Sequence, residues 1–279
     1  MDASELARAR LRELAAQEPI DLARASLAIA REEYPELDEA RYLHRLDELA
    51  AAAKAQLPAG ASTERRIGRL NSYLFHELGF AGNRVDFYDP RNSFLNEVLD
   101  RRTGIPITLS LVYLEVGRRC GLAVQGIGFP GHFLCRVSLG TSEGELVVDP
   151  FHRGQLVAPD EIKRRFKAAV GDATPFDPRV LRPARPKEIL IRILQNLKTV
   201  YEQASDLPRA LSAVDRILML APLSLGGLRD RAGLCEKLGS AGAAATALER
   251  VLELEPSAID ADDLHNRVRR LRAASRFPN

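Results

Sequence analysis

Near the C-terminus the chain repeats itself with a period of 34 residues, and this repeat constrains the fold more than any other feature. The segment RALSAVDRILMLAP ends at Pro222, and the segment AAATALERVLELEP ends 34 residues later at Pro256. At this offset similar residues align: Ala210 with Ala244, Ala213 with Ala247, Val214 with Leu248, Arg216 with Arg250, Ile217 with Val251, Leu218 with Leu252 and Leu220 with Leu254. Seven matches at one offset favour a true repeat over two unrelated helical hairpins.

This period, with small alanines in the helices and a closing proline, is typical of tetratricopeptide repeats. Leu194, Leu197 and Tyr201 supply bulk where the first helix of such a repeat needs it. We therefore predict an all-helical segment over residues 187–279, ending in a capping helix at 259–273. Such repeats bind a protein partner on a concave face. Because about two and a half repeats form little concavity, packing onto the preceding domain is the alternative role.

The middle of the chain predicts an α+β core. Gly104-Ile105-Pro106 opens the apolar segment ITLSLVYLEVGRRC, which ends at Gly121. A helix that is apolar on most sides is a buried helix. Three strand-like segments follow, at 122–129, 132–139 and 144–151, and the turn TSEG joins the last two. The expected fold is one buried helix packed on a small antiparallel sheet.

The residues before this core are predicted to be helical, because they are rich in Ala, Leu, Arg and Glu. The helical segments are 3–17, 22–34 and 39–56, and a fourth begins at Thr63 and runs to Gly79. We therefore assign residues 1–180 to a helical region plus the α+β core. The stretch GDATPFDPRVLRPARPK at 171–187 contains four prolines, so it is either a linker or a loop wrapped on the core.

A buried helix, a strand with His132 and a strand ending at Asp149 together resemble the transglutaminase-like core, which is related to papain-type cysteine proteases. Three motifs carry the resemblance: Asn92-Ser93 to Ile107, Phe129-Pro130-Gly131-His132-Phe133 and Asp149-Pro150-Phe151. With tetratricopeptide helices behind them, they are similar to a bacterial transglutaminase-like/tetratricopeptide family of SirB type, over about residues 30–275. The resemblance implies a site in which an Asp orients a His beside a Cys at the helix N-terminus.

The sequence departs from that pattern at the nucleophile. The family position falls near Pro106 or Ile107, and no cysteine is there. Cys120 lies at the other end of the helix, and strand alternation puts Cys135 on the face opposite His132. We therefore expect a degenerate site that keeps a remnant dyad, with a His132 nitrogen within about 2.6–3.5 Å of an Asp149 oxygen or linked to it by one water.

Two other kinds of chemistry compete with this interpretation. Ser110 or Thr108 could replace the thiol as nucleophile, with His132 and Asp149 completing a hydrolase or acyltransferase. A hydroxyl near the start of a helix, however, more often bonds to the backbone. His132, Asp149 and His152 could form a metal site with two histidines and one carboxylate, but Asp149 and His152 are close neighbours around Pro150. We predict no metal and no other cofactor.

Composition narrows the range of partners. The chain carries 40 Lys and Arg against 38 Asp and Glu, a net charge of +2, which gives no general case for nucleic-acid binding. No window approaches the ~20 apolar residues of a membrane span, and the N-terminus lacks a secretory signal, so we expect a cytoplasmic protein. Three widely spaced cysteines argue against a zinc site or a disulfide framework. The leading prediction is a non-catalytic protein-interaction or regulatory module that binds an unknown protein partner through its repeats.

Overall fold

A computed structural model describes residues 2–56, 60–140 and 144–276. The chain folds into two compact units, Met1–Ile193 and Leu194–Asn279, and each is described by itself. The first combines helices with two small sheets, and the second is helical. The predicted α+β class, with a helical segment after it, is confirmed.

Four helices precede the core, and side chains of the residues before them cap their first turns. They are α1 (Ala3–Ala15), α2 (Leu22–Ala30), α3 (Glu39–Ala55) and α4 (Thr63–Asn71), and a π-helix continues α4 over Ser72–Glu77. The carboxylate of Asp21 accepts a hydrogen bond from the Arg24 backbone N–H at 3.0 Å. Asp38 does the same for Arg41 at 3.2 Å. These caps satisfy backbone donors that have no partner inside a helix.

The buried helix is α6 (Pro106–Arg119), and it follows the short helix α5 (Leu95–Arg101). Every residue of α6 from Ile107 to Gly117 is buried, as the apolar segment predicts. Proline at its first position costs no hydrogen bond, because that N–H has no partner within a helix.

The main sheet has four strands in the order β3 (Val124–Ile127), β4 (Leu134–Ser138), β5 (Glu145–Asp149) and β6 (Gln155–Leu156), all paired antiparallel. The first three match the predicted segments in shorter form, whereas β6 was not predicted. The register places Cys135 opposite Val148. The predicted turn TSEG lies largely outside the described residues.

A second, parallel sheet was also missed. Its strands β1 (Ala81–Gly82) and β2 (Thr103–Gly104) have only two residues each, too few to leave a pattern in the sequence. They bring the chain before α6 next to the segment that follows α4.

The proline-rich stretch after α7 (Pro159–Val170) is a loop wrapped on the core. Pro183 forms a bridge with Ile127, and the Ala184 N–H donates to the Gly126 carbonyl at 2.8 Å. Phe176, Val180 and Leu181 pack against the apolar cluster of Ile127, Phe129, Leu134, Val157, Ile162 and Phe166. The wrapped loop therefore covers the outer edge of β3.

The C-terminal helices are α8 (Pro186–Gln203), α9 (Leu207–Leu220), α10 (Leu225–Lys237), α11 (Ala241–Leu254) and α12 (Ala261–Arg276). The repeat alanines Ala210 and Ala244 are fully buried, in α9 and α11. Leu228, Ala247 and Leu264 belong to one cluster that joins α10, α11 and α12. No helix among the described residues has the length and apolar character needed to cross a bilayer.

Candidate functional site

The candidate site is built around one buried carboxylate. Asp149 ends β5 and is completely buried. His132 Nε2 lies 3.0 Å from both of its oxygens. His152 Nδ1 lies 2.8 Å from Oδ2, and Arg165 Nη1 donates to the same oxygen at 2.6 Å. The expected adjacency of His132 and Asp149 is confirmed.

Electrostatics keep this carboxylate ionised. Burial by itself would raise the Asp149 pKa, but hydrogen bonds and charge from His132, Arg165 and His152 lower it well below its ordinary value. An ionised carboxylate only accepts hydrogen bonds. The proton therefore lies on Nε2 of His132 and on Nδ1 of His152.

Local backbone geometry positions the two histidines next to Asp149. His132 stands just before β4, after Gly131, whose φ of 67° is left-handed. His152 ends a 3₁₀ turn over Pro150–His152, and its backbone N–H donates to Asp149 Oδ1 at 3.2 Å. Asp149 thus caps the turn and also binds the imidazole that the turn presents.

The two hydroxyls considered as nucleophiles both donate hydrogen bonds to backbone carbonyls. Thr108 Oγ1 donates to the Asn92 carbonyl at 2.7 Å and accepts from the Ile105 N–H at 3.1 Å. Ser110 Oγ donates to the Phe133 carbonyl at 3.4 Å. Both side chains are fully buried, and in the described chain neither hydroxyl bonds to His132.

The cysteines are also buried. Burial raises the pKa of Cys135 to about 12, and its Sγ lies 3.6 Å from the Ser110 carbonyl. Burial also raises the pKa of Cys120 and of Cys235. A thiol nucleophile needs a depressed pKa. The pKa values of these three thiols are raised, so none of them has the character of a nucleophile.

Aromatic rings border the histidines. The Phe151 ring meets His132 edge-on at 5.9 Å and Phe87 edge-on at 6.2 Å. Asn92 holds the segment that carries Phe87, because its buried amide donates to the carbonyls of Asp86 at 2.8 Å and Phe87 at 3.2 Å. The 3₁₀ turn over Pro90–Ser93, which contains Asn92, is thereby tied to this border.

The ligand atoms of His132, Asp149 and His152 all lie within 4.8 Å of one another, a spacing that suits a metal ion. The fourth member of the cluster, Arg165, disfavours a bound cation. The Arg165 guanidinium already occupies Asp149 Oδ2, and it places a permanent positive charge beside any cation bound there. This arrangement therefore disfavours a metal ion at the cluster.

Arg165 was missed as a site residue, since the sequence shows it only as half of the basic pair Arg164-Arg165. It lies on α7 between the buried residues Ile162 and Phe166, on the face that packs on the sheet. Its guanidinium also meets Glu161 at 2.8 Å. The signal in the sequence that could have identified Arg165 is a charged residue next to the buried apolar stripe of a helix.

The helix α6 packed beside an antiparallel sheet, with a histidine just before one strand and an aspartate at the end of the next, is the arrangement of the transglutaminase-like class. Residues 40–195 match the family model described as the transglutaminase-like superfamily, and residues 197–269 match the tetratricopeptide repeat. The chain is 38% identical over 248 residues to a UPF0162 protein of Xylella fastidiosa, which covers 88% of each protein. It is 34% identical to a UPF0162 protein of Pseudomonas aeruginosa over 86% of each.

The chain belongs to this UPF0162 family of transglutaminase-like proteins with tetratricopeptide repeats, which confirms the resemblance found in its sequence. A part of the chain is also similar to a mouse protein, F-box only protein 21, at 39% identity over 101 residues, 34% of this chain and 16% of that protein. No solved structure gave a significant match.

Proposed function

We propose that this protein is a non-catalytic protein-interaction or regulatory module. The proposal depends mainly on the N-terminus of α6, where Pro106 and Ile107 stand near the position expected for the family nucleophile and neither is a cysteine. Acyl transfer needs a nucleophile within hydrogen-bond reach of a base. The nearby hydroxyls of Thr108 and Ser110 bond to backbone carbonyls, so the hydrolase or acyltransferase alternative gains no support.

The Asp149 network then has a structural role. Its carboxylate joins the segment before β4, the 3₁₀ turn after β5 and helix α7. Removing one partner of a buried ion pair is strongly destabilising, whereas a complete network defines one arrangement. In this proposal the ancestral dyad persists as a clamp between chain segments.

The repeats supply the proposed interaction surface. Tetratricopeptide repeats generally mediate binding between proteins. In the described part of this segment, three large apolar side chains are exposed, namely Leu223, Leu238 and Ile259. We assign residues 1–180 to the degenerate core and 187–279 to binding of a protein partner, in the cytoplasm, with no role for nucleic acid or membrane.

Covalent labelling tests the catalytic part of the proposal. Wild-type protein should incorporate neither a biotinylated amine, a fluorophosphonate nor, under native conditions, iodoacetamide. The matched variant is Pro106→Cys, which places a thiol at the first position of α6, and it should label with iodoacetamide. Wild-type labelling that disappears in Ser110→Ala or Thr108→Val would refute the proposal.

A photo-cross-linking residue tests the interaction part. Placed at Ile259 in the full-length protein, inside the producing bacterium, it should give a discrete cross-linked band. The control position is Arg269, an exposed residue of α12, which begins two residues after Ile259. The proposal expects the band at position 259 and not at 269; the absence of any band at 259, 223 and 238 would contradict it.

A further inference from the structure

A cleft of about 430 Å³ opens beside the histidine network. Its lining residues are Ala81, Gly82, Arg84, Phe151, His152, Arg153 and Gln155. This volume lies within the range of ligand-binding clefts. The lining contains two guanidinium groups and an imidazole and no acidic side chain, so it favours an anion.

The two lining arginines carry uncompensated charge. Arg84 and Arg153 are exposed, and neither has an acidic partner in the part of the chain that the structure describes. Arg165 differs, because Asp149 and Glu161 neutralise it at 2.6 and 2.8 Å. The cleft therefore presents free guanidinium groups, which bind carboxylates in a planar, two-point geometry.

The turn that carries Phe151, His152 and Arg153 is held rigidly. Arg153 has a left-handed φ of 55°, and Gly154 follows with a φ of 73°. A Cβ on Gly154 would lie 2.7 Å from Asn71 Cγ and from the Phe75 ring. The Asn71 amide donates to the Gly154 carbonyl at 2.7 Å. A left-handed non-glycine residue persists only where its surroundings enforce it.

The opposite wall is equally close-packed. A Cβ on Gly82 would collide with the Phe151 ring, so β1 lies directly against the ring. The Arg84 guanidinium carbon lies 5.9 Å from the centre of the same ring. The charged groups are thus presented by two walls that are already in place, which lowers the cost of ordering them for a ligand.

Both walls offer free strand edges. Among the residues that the structure describes, β1 pairs with β2 alone, and β6 is the last strand of the four-stranded sheet. An unpaired edge can hydrogen-bond an extended peptide. Exposed apolar side chains also neighbour these edges in the chain: Val85 and Tyr88 follow β1, and Leu156 belongs to β6.

We propose that this cleft binds an acidic segment of a partner polypeptide in an extended conformation, with a carboxylate held by Arg84 and Arg153. The strand edges contact the backbone of the bound segment, and the exposed apolar residues contact its neutral side chains. This inference deepens the proposed function, on which it rests, by giving the chemistry of a partner.

Fluorescence anisotropy with full-length protein tests the inference. The probe is a fluorescein-labelled peptide of alternating glutamate and valine, and its control replaces each glutamate with glutamine. We expect the acidic peptide to bind at least about tenfold more tightly than the neutral one. Arg84→Gln and Arg153→Gln should each weaken binding about tenfold, since each removes a charged hydrogen-bond donor.

The matched control variant is Arg179→Gln, which removes the same charge from an exposed arginine paired with Asp177. It should bind like wild type, and thermal melts should show that all three variants fold. Equal weakening in Arg179→Gln, or no preference for the acidic peptide, would overturn the inference.

Inorganic phosphate separates a peptide site from a simple anion site. If it displaces the peptide at the concentration where the peptide itself half-saturates, the peptide assignment is wrong. The peptide-binding test and the covalent-labelling test can fail independently. Covalent labelling of the wild type would refute the proposed function while peptide binding stayed intact, whereas lost peptide preference without labelling would refute this inference alone.

Discussion

Replacing Arg165 by leucine tests the clamp that Asp149 forms. The carboxylate of Asp149 is fully buried, and Arg165 supplies its one permanently charged partner at 2.6 Å. Breaking a buried ion pair costs about 3–5 kcal/mol, because a charge is left uncompensated. The Arg165 side chain is 23% exposed and two histidines remain on the carboxylate, so we expect about 2–3 kcal/mol.

Urea unfolding at neutral pH, followed by tyrosine fluorescence, measures this loss. Five of the six tyrosines lie in the first unit, and the chain has no tryptophan, so the signal reports mainly on the unit that contains Arg165. The control is Arg179→Gln, which removes an exposed ion pair and should leave the urea midpoint close to that of the wild type.

The pH dependence gives a second signature. The folded-state pKa of Asp149 lies below its unfolded value, so its contribution is present above the unfolded pKa of about 3.9 and is lost as pH falls towards the folded pKa. Arg165→Leu should raise the folded-state pKa of Asp149, so the pH range over which this stability is lost becomes narrower at its acidic end. Asp149→Asn should abolish this pH-dependent loss. A variant Arg165→Leu that matched the control in stability and in acid sensitivity would refute the clamp.

Three further predictions concern packing and thiol chemistry. Ala244→Leu should destabilise the second unit by about 1–3 kcal/mol in a thermal melt, because a fully buried small residue is overpacked, whereas exposed Thr246→Leu should change little. Gly154→Ala should cost about 2–4 kcal/mol of unfolding free energy through backbone strain and collision with Phe75, more than Gly171→Ala, where φ is 92° but no atom lies within 4 Å. A thiol-reactive chromophore at pH 8 should react with the three buried cysteines only in denaturant; fast reaction of native protein would contradict their burial.

The sequence predicted the elements whose signal is local. The 34-residue repeat locates α9 and α11, because small and bulky residues recur at helical spacing. The apolar segment after Pro106 predicts α6, since a helix without a polar face has to be buried. Short antiparallel pairing between neighbouring segments also predicts that His132 and Asp149 meet. Each of these inferences needs only periodicity and short connections.

Partnerships between distant segments were decided by the tertiary structure alone. Arg165 joins Asp149 because α7 packs back onto the sheet, and no local pattern states where a guanidinium will point. From the sequence, Thr108 and Ser110 were both candidate nucleophiles. Only the folded structure shows that their hydroxyls donate to the carbonyls of Asn92 and Phe133. A sequence determines periodicity, and hence which faces are buried. The direction and partner of a polar side chain depend on how those faces meet in three dimensions.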